Sequence, residues 1–248
     1  MNKIKVVVNG ALGKMGKEVV KAVLNQADME LDKELDMQNN LGDYLKDNKV
    51  DVVVDFTTPE KRMDIARAIL NNGASGVIGT TGFTNNDLKE LEKLCNKTGK
   101  GLIIAPNFTI GVILQMYFSK IAAKYFDTAE IIEYHHNQKV DFPSGTAVKT
   151  AQLMSEVRDK FNPDLKDKVA NIEGARGGDL NGIKIHSVRL PGMMAHQEVM
   201  FGEKGQFLTI RHDTISREAY MPGVLLAIRE VVKINRLVYG LEEILGIK

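Results

Sequence analysis

Lys3-Ile4-Lys5-Val6-Val7-Val8-Asn9-Gly10-Ala11-Leu12-Gly13-Lys14-Met15-Gly16 is the stretch from which the fold is read. Lys3 to Asn9 is a short β-branched run, and glycines follow at positions 10, 13 and 16. From Lys14 to Asn25, apolar residues recur at Val19, Val20, Val23 and Leu24, a helical spacing. Strand, glycine turn and helix in that order suit a dinucleotide. The glycines permit a tight turn and close approach of backbone to a pyrophosphate. The anion then lies on a helix N-terminus, where unpaired N–H groups and the helix dipole favour it. The spacing is G-x-x-G-x-x-G, a variant of the commoner pattern, so position and context carry the reading more than the glycines alone. Asp36 lies 20 residues beyond Gly16, about where an acidic side chain grips a ribose hydroxyl in such folds. The plainer alternative is a glycine turn with Asp36 as a solvated charge at a strand end.

Moving outward, Val50 to Phe56 is a second apolar run with Val52, Val53 and Val54 in sequence. Apolar runs without alternation mark parallel strands covered on both faces. Thr57-Thr58-Pro59-Glu60 reads as a helix start, with Thr57 and Glu60 spaced for a capping box. Gly76 to Gly79 precedes a helix beginning near Thr84, and Gly101 to Ala105 supplies a further strand. Repeated β-α-β units with glycine turns predict an open parallel sheet. Asp32, Lys33 and Glu34 fit a doubly covered strand poorly, so the second strand is expected at a sheet edge, where charges discourage unwanted pairing. Only 13 residues separate Asp36 from Val50, too few for a comfortable further βαβ unit.

The rhythm changes after Pro106. A helical pattern over about Gly111 to Tyr125 precedes a strand near Thr128 to Tyr134, and Ser144 to Arg158 is again helical. A glycine-bearing loop runs from Asn162 to Gly182. Ile183 to Leu190, Glu198 to Phe201 and Gln206 to Asp213 then read as the strands of an antiparallel meander. Ser216 or Arg217 opens a helical stretch to about Leu237, with Pro222 and Gly223 making a kink or a delayed start. The expected class is α/β: a Rossmann-like dinucleotide-binding domain plus a mixed α+β substrate and oligomerisation domain.

Composition bounds the function. With 33 Lys+Arg against 32 Asp+Glu, the 248-residue chain lacks the basic excess that phosphate neutralisation needs, so nucleic acid is not an expected partner. No apolar run approaches the roughly 18 residues of a membrane span, and the N-terminus does not read as a secretory signal. One cysteine, Cys95, excludes an internal disulfide framework and a cysteine-based metal cluster. No histidine has metal-ligand spacing. A soluble, cytoplasmic protein without a metal is expected.

Glu133-Tyr134-His135-His136-Asn137-Gln138-Lys139-Val140-Asp141-Phe142-Pro143-Ser144-Gly145-Thr146-Ala147 is the densest functional signal. Adjacent side chains on a strand point to opposite faces, so both histidines serve one cleft only if the strand ends near His135 and the chain turns. Ser144 suits a helix N-cap, and the free amides behind it suit a carboxylate. Imidazole, ammonium and helix N-terminus together describe a pocket for a small, multiply anionic substrate that needs a proton. The competing interpretation is a capped helix beside surface histidines. His186, His196 and His212 lie in strand or turn contexts and read as structural.

These residues resemble the 4-hydroxy-tetrahydrodipicolinate reductase (dihydrodipicolinate reductase) family over nearly the whole chain. The likeness rests on Gly10 to Gly16, Asp55-Phe56-Thr57, Gly79-Thr80-Thr81-Gly82-Phe83, Ala105-Pro106-Asn107-Phe108, His135-His136 with Lys139, and Pro143 to Ala147. The resemblance implies that Gly10, Ala11, Leu12, Gly13, Lys14, Met15, Gly79, Thr80, Thr81, Ala105, Pro106, Asn107 and Phe108 line the cofactor, beside Asp36. It implies that His135 and Lys139 handle the proton, and that His136, Ser144, Gly145 and Thr146 hold the substrate carboxylates. It further implies a dinucleotide domain over 1–108 with 217–248, and a substrate and tetramerisation domain over 109–216. Phe142 stands where a small residue is common, and Leu190-Pro191-Gly192-Met193 replaces a more polar turn.

The activity implied is NAD(P)H-dependent reduction of 4-hydroxy-tetrahydrodipicolinate to tetrahydrodipicolinate in lysine and diaminopimelate biosynthesis, with His135 or Lys139 protonating an enamine-like product. Asp36 is followed by Met37, Gln38, Asn39 and Asn40, and Thr58 is also uncharged. Nothing basic there meets a 2′-phosphate, so NADH is expected to serve at least as well as NADPH, with Lys14 the candidate for accommodating NADPH. A homotetramer is expected, with Met193, Met194 and Met200 near its interface. A different Rossmann dehydrogenase would have no reason to carry the His-His-Lys turn. A non-catalytic dinucleotide sensor would bind cofactor without turning over any dicarboxylate.

Overall fold

Two sheets organise the chain, each at the centre of its own unit: 1–110 with 217–248, and 111–216. The computed structural model describes residues 3–36, 38–163 and 169–247.

The first unit holds an all-parallel sheet in the order β11-β5-β4-β3-β1-β2. Its strands are β1 (Ile4–Asn9), β2 (Met29–Leu35), β3 (Val52–Asp55), β4 (Ser75–Ile78), β5 (Leu102–Ile104) and β11 (Leu237–Tyr239). β3, β4 and β5 are buried along their whole length, because helices cover both faces and leave no polar side of the sheet. One face packs against α2 (Leu41–Asp47), α3 (Arg62–Asn71) and α4 (Asn85–Thr98) through Leu45, Ile65, Ile69, Leu91 and Cys95. α1 (Lys14–Leu24) and α7 (Met221–Val231) pack against each other, α1 beside β1 and β2 and α7 on β3, β4 and β5.

β2 lies at the sheet edge as its charges require, and the Tyr44 hydroxyl donates to Asp32 at 2.7 Å. Between Asp36 and Val50 the described residues hold no further strand, only the seven-residue α2, which Asn40 caps by accepting from the amides of Gly42 and Asp43. Two local expectations are corrected. Thr57 and Glu60 form no capping box: Thr58 precedes a 3-10 turn at Pro59–Lys61, while the Thr57 hydroxyl is drawn to the buried Asp55 carboxylate. The C-terminal stretch is not helical to Leu237. A 3-10 turn at Arg217–Tyr220 delays the helix to Met221, α7 ends at Val231, and β11 adds to β5 as a sixth strand.

The second unit is a five-stranded mixed sheet in the order β10-β9-β6-β8-β7. Its strands are β6 (Thr128–His135), β7 (Gly178–Leu180), β8 (Ile183–Arg189), β9 (Ala195–Glu203) and β10 (Gln206–Thr214). The meander is corrected. β6 inserts between β8 and β9, parallel to the first and antiparallel to the second, because its buried Ala129, Ile131 and Glu133 make it the central strand. β7 lies inside the expected loop 162–182, of which residues 164–168 fall outside the described ones. One sheet face is closed by α6 (Gly145–Ser155) and the C-terminal end of α5 (Ile110–Ala122), around Ile131, Ala151, Met154, Phe161, Ile185, Val199 and Phe201. Gln115 of α5 donates from Nε2 to the carbonyls of Gln197 and Ile210. No helix among the described residues is long and apolar enough to cross a membrane.

Candidate active site

In the first unit, the expected nucleotide residues gather on loops at the carboxyl ends of the parallel strands. Ligands of open α/β sheets bind there, where the strand order reverses, which in this sheet is between β1 and β3. Gly10 leaves β1 with φ +82°, and a side-chain carbon there would stand 2.9 Å from the Phe56 carbonyl oxygen. At Gly16, inside α1, such a carbon would fall 2.0 Å from the Gly10 carbonyl oxygen. The loop therefore folds back tightly onto its own helix. Gly13 is the N-cap of α1 and brings no side chain to the helix start, so Lys14 and Met15 open a first turn whose amides lack intrahelical acceptors. The amides of Gly10 and Ala11 donate to Leu35, tying the loop to β2, while Leu12 is exposed. This cradle fits a pyrophosphate: a bare helix N-terminus, no acidic residue in its first turn, and no room for a Cβ at two of its glycines.

Asp36 immediately follows β2, in a turn where its amide donates to Asn39 Oδ1 and its carbonyl accepts from the Asn39 amide. Met37 lies outside the described residues. Gly79, Thr80 and Thr81 follow β4, with Thr80 buried and Thr81 exposed. Ala105, Pro106, Asn107 and Phe108 follow β5, where Asn107 Oδ1 accepts from the Thr109 amide and the Phe108 ring lies 5.6 Å from that of Phe56.

One carboxylate links these loops. Asp55, wholly buried at the end of β3, accepts from Asn9 Nδ2 at 2.7 Å, from Thr57 Oγ1 at 2.9 Å and from Thr80 Oγ1 at 2.9 Å. Burial pushes its pKa up, against the pull of these donors. It ties the glycine loop, the β3 exit and the Gly79–Thr81 loop to a single point. Sequence reasoning assigned Asp55 no such role, although an acid ending the apolar run Val52-Val53-Val54 was the available signal.

In the second unit, β6 ends at His135 and the chain turns. The Lys139 amide donates to the His136 carbonyl across that turn. His135 Nδ1 lies 2.5 Å from Glu133 Oε2. Glu133 is fully buried and also receives Arg189 in bidentate fashion, Nη1 to Oε2 at 2.9 Å and Nη2 to Oε1 at 2.8 Å. The Ser144 amide donates to Glu133 Oε1 at 3.2 Å. Burial alone would raise the Glu133 pKa, but the bonds from His135, Arg189 and Ser187 outweigh it and hold the carboxyl down to about 2.

Ser144 caps α6 as its position suggests, its Oγ accepting from the Ala147 amide. A Cβ on Gly145 would meet nothing within 4 Å, so the helix start is open above that residue. Thr146 is half-buried in the first turn. His136 is exposed, and its Nδ1 accepts from the Gln138 amide at 3.2 Å. In the neutral ring that bond puts the proton on Nε2, which suits a carboxylate. Lys139 Nζ pairs with Asp141 Oδ1 at 2.7 Å, and burial is slight enough that Asp141 is simply held below the usual carboxylate range by that bond. The structure thus ties His135 and Ser144 together through Glu133, and ties Lys139 to Asp141. Arg189 also donates to the Asp141 carbonyl, anchoring the turn from the side.

Glu133 and Arg189 were missed by sequence reasoning. The signal for Glu133 was its place in the alternation Ala129, Ile131, Glu133 on the buried side of β6; Arg189 carried none. His186 and His196 are paired with Glu130 and Asp213, and burial lowers the pKa of His212. Among the described residues, no group of three or more His, Cys, Asp or Glu is arranged to hold a metal ion.

A parallel nucleotide-binding sheet followed in one chain by a mixed-sheet unit with a histidine, a lysine and an open helix start is the plan of a pyridine-nucleotide oxidoreductase. Residues 4–108 match the family model described as dihydrodipicolinate reductase, N-terminus, and residues 111–245 the one described as dihydrodipicolinate reductase, C-terminus. The chain belongs to the dihydrodipicolinate reductase family. It is 47% identical to the 4-hydroxy-tetrahydrodipicolinate reductase of Desulfitobacterium hafniense, over 99% of this chain and 100% of that protein. It is also 47% identical to the Listeria monocytogenes protein of the same name, over 98% and 100%. A dipicolinate-bound dihydrodipicolinate reductase from Paenisporosarcina sp. TG-14 superposes with a TM-score of 0.89 at 42% identity, covering 97% of this chain and 99% of that one. A probable dehydrogenase from Thermotoga maritima, 11% identical with a TM-score of 0.64 over 97% and 92% of the two chains, shares the fold alone.

Proposed function

We propose that the chain reduces 4-hydroxy-tetrahydrodipicolinate to tetrahydrodipicolinate with a reduced pyridine nucleotide, in lysine and diaminopimelate biosynthesis. The observation that carries this reading is the arrangement around Glu133: one buried carboxylate holds both a histidine and the amide at the mouth of an open helix N-terminus. A substrate with two carboxylates and a ring needing one proton suits that arrangement, and the full-length likeness to named reductases supports it.

When bound, the nicotinamide would supply the hydride; with the substrate's 4-hydroxyl leaving as water, one hydride and one proton complete the conversion to tetrahydrodipicolinate. The glycine loop Gly10 to Met15, Asp36, Gly79 to Thr81 and Ala105 to Phe108 hold the nucleotide. The α6 N-terminus with Gly145 and Thr146 takes one substrate carboxylate on its free amides, and the His136 Nε2–H donates a charge-assisted hydrogen bond to a substrate carboxylate. His135 and Lys139 hold the proton that completes the reduction, a general-acid contribution of roughly 10²–10⁴-fold.

Asp36 beside the uncharged Gln38, Asn39 and Asn40 favours a free ribose over a 2′-phosphate, so NADH serves at least as well as NADPH. Lys14, in the first turn of α1, is the residue through which NADPH would be tolerated. A cytoplasmic homotetramer assembled through the mixed-sheet unit completes the reading. The test is a coupled assay: synthase-generated substrate is mixed with NADH or NADPH, and loss of reduced-nicotinamide absorbance is followed. Turnover with NADH at a kcat/KM no lower than that with NADPH is expected. No turnover with either overturns the activity, and a clear NADPH preference overturns the cofactor assignment.

A further inference from the structure

Glu133 is buried, charged and bonded on every side, yet the reduction itself gives it no work. Its Oε2 lies 2.5 Å from His135 Nδ1, and both its oxygens are taken by Arg189. A buried carboxylate kept ionised is acceptor-only, so whatever lies 2.5 Å from it must donate. His135 Nδ1 therefore carries a hydrogen in both charge states of the ring, and Nε2 is the atom left to exchange a proton.

We propose that Glu133 is the positioning residue for His135 and that Arg189 is its counterweight. Glu133 fixes the ring tautomer and stabilises the imidazolium. Arg189 shares the same carboxylate and draws part of its charge away from the ring. This deepens the reading of His135 as a proton donor and rests on it.

The surrounding charges leave these two groups in control. In register with His135 stand Arg189 on β8 and Ala195 on β9. His196, the next residue on β9, pairs with Asp213 of β10. In the turn after β6, Lys139 and Asp141 bond each other and bring no net charge. The first turn of α6 brings no acidic residue, and its Ser144 amide is spent on Glu133. The depressed Glu133 pKa, near 2, is what a buried carboxylate bonded by His135 and Arg189 requires. The same contacts lock the geometry: with Arg189 also donating to the Asp141 carbonyl, one ion pair fixes the ring, the turn and the helix start together.

The two residues push the imidazole in opposite directions, and this gives the test its sign. Glu133→Gln keeps an acceptor for Nδ1 but removes the negative charge. Arg189→Met leaves the carboxylate entirely to His135. The measurements are the alkaline limb of kcat against pH and a 15N NMR titration of His135 in the unliganded protein. Glu133→Gln is expected to move both down by about one pH unit, a tenfold loss of protonated ring at fixed pH, and Arg189→Met to move both up. Tm and NADH affinity report folding. If Arg189→Met does not fold, Arg189→Lys retains a cation with a looser grip and is expected to shift in the same direction by less.

A His135 titration unmoved, or moved in one direction by both variants, overturns the proposal even if His135→Gln is inactive. Opposite shifts of the NMR titration with a fully active His135→Gln protein would instead leave the positioning role standing and remove His135 from the chemistry.

Discussion

Along β6 the alternation Ala129, Ile131, Glu133 puts a carboxylate where a core side chain belongs, and the acid behaviour of the protein should register it. The Glu133 carboxyl titrates near 2 in the fold against an ordinary 4.5. A depressed carboxyl stabilises the fold fully above its unfolded pKa and loses that contribution as pH falls through the folded one. The contribution of Glu133 is therefore complete above about pH 4.5 and fades toward about pH 2. Glu133→Gln should be less stable than the parent at neutral pH, and the gap should close on acidification. Denaturation midpoints followed from about pH 6 to about pH 3 check it, and a constant gap would count against the ion pair. At the same scale, His135→Gln and Lys139→Ala should lower kcat by roughly 100-fold or more with nucleotide affinity intact, while His136→Ala and Thr146→Ala mainly raise substrate KM. His135, Lys139 and Ser144 were legible because they crowd into one polar segment. Arg189 was not, since its partner lies 56 positions away and only the parallel pairing of β6 with β8 joins them.

The elements of the first unit converge on Asp55, and its removal should be felt in all the loops it holds. Asp55→Ala leaves Asn9, Thr57 and Thr80 without their shared acceptor, and buried donors left unpaired cost about 1–3 kcal/mol each. Nucleotide Kd should rise about tenfold or more. Titration calorimetry with NADH measures it, and an unaltered NADH Kd would deny Asp55 its organising part. Much at this scale was readable in advance: unbroken apolar runs announced β3, β4 and β5, and three charges announced β2 as an edge. The failures share a cause. α2 is too short for periodicity to register, β11 spans only three residues, and the insertion of β6 between β8 and β9 is a long-range pairing that no local pattern encodes.

At the level of the whole molecule, the mixed sheet ends in β10, a nine-residue edge strand with Phe207 largely exposed. Long edges of this kind invite pairing unless closed assembly covers them. Light scattering at micromolar concentration should give the mass of a tetramer, and a stable monomer would refute that assembly. The division of the chain carries a consequence for its birth on the ribosome. α7 and β11, which cover one sheet face and pair with β5, are translated only after the inserted unit 111–216. A nascent chain that has already emitted the glycine loop must wait, its sheet half-clad and a candidate for chaperones, until the whole inserted unit has emerged. Chains stalled before Arg217 should accordingly remain open to protease within residues 1–110, and emergence of residues 217–248 should close them.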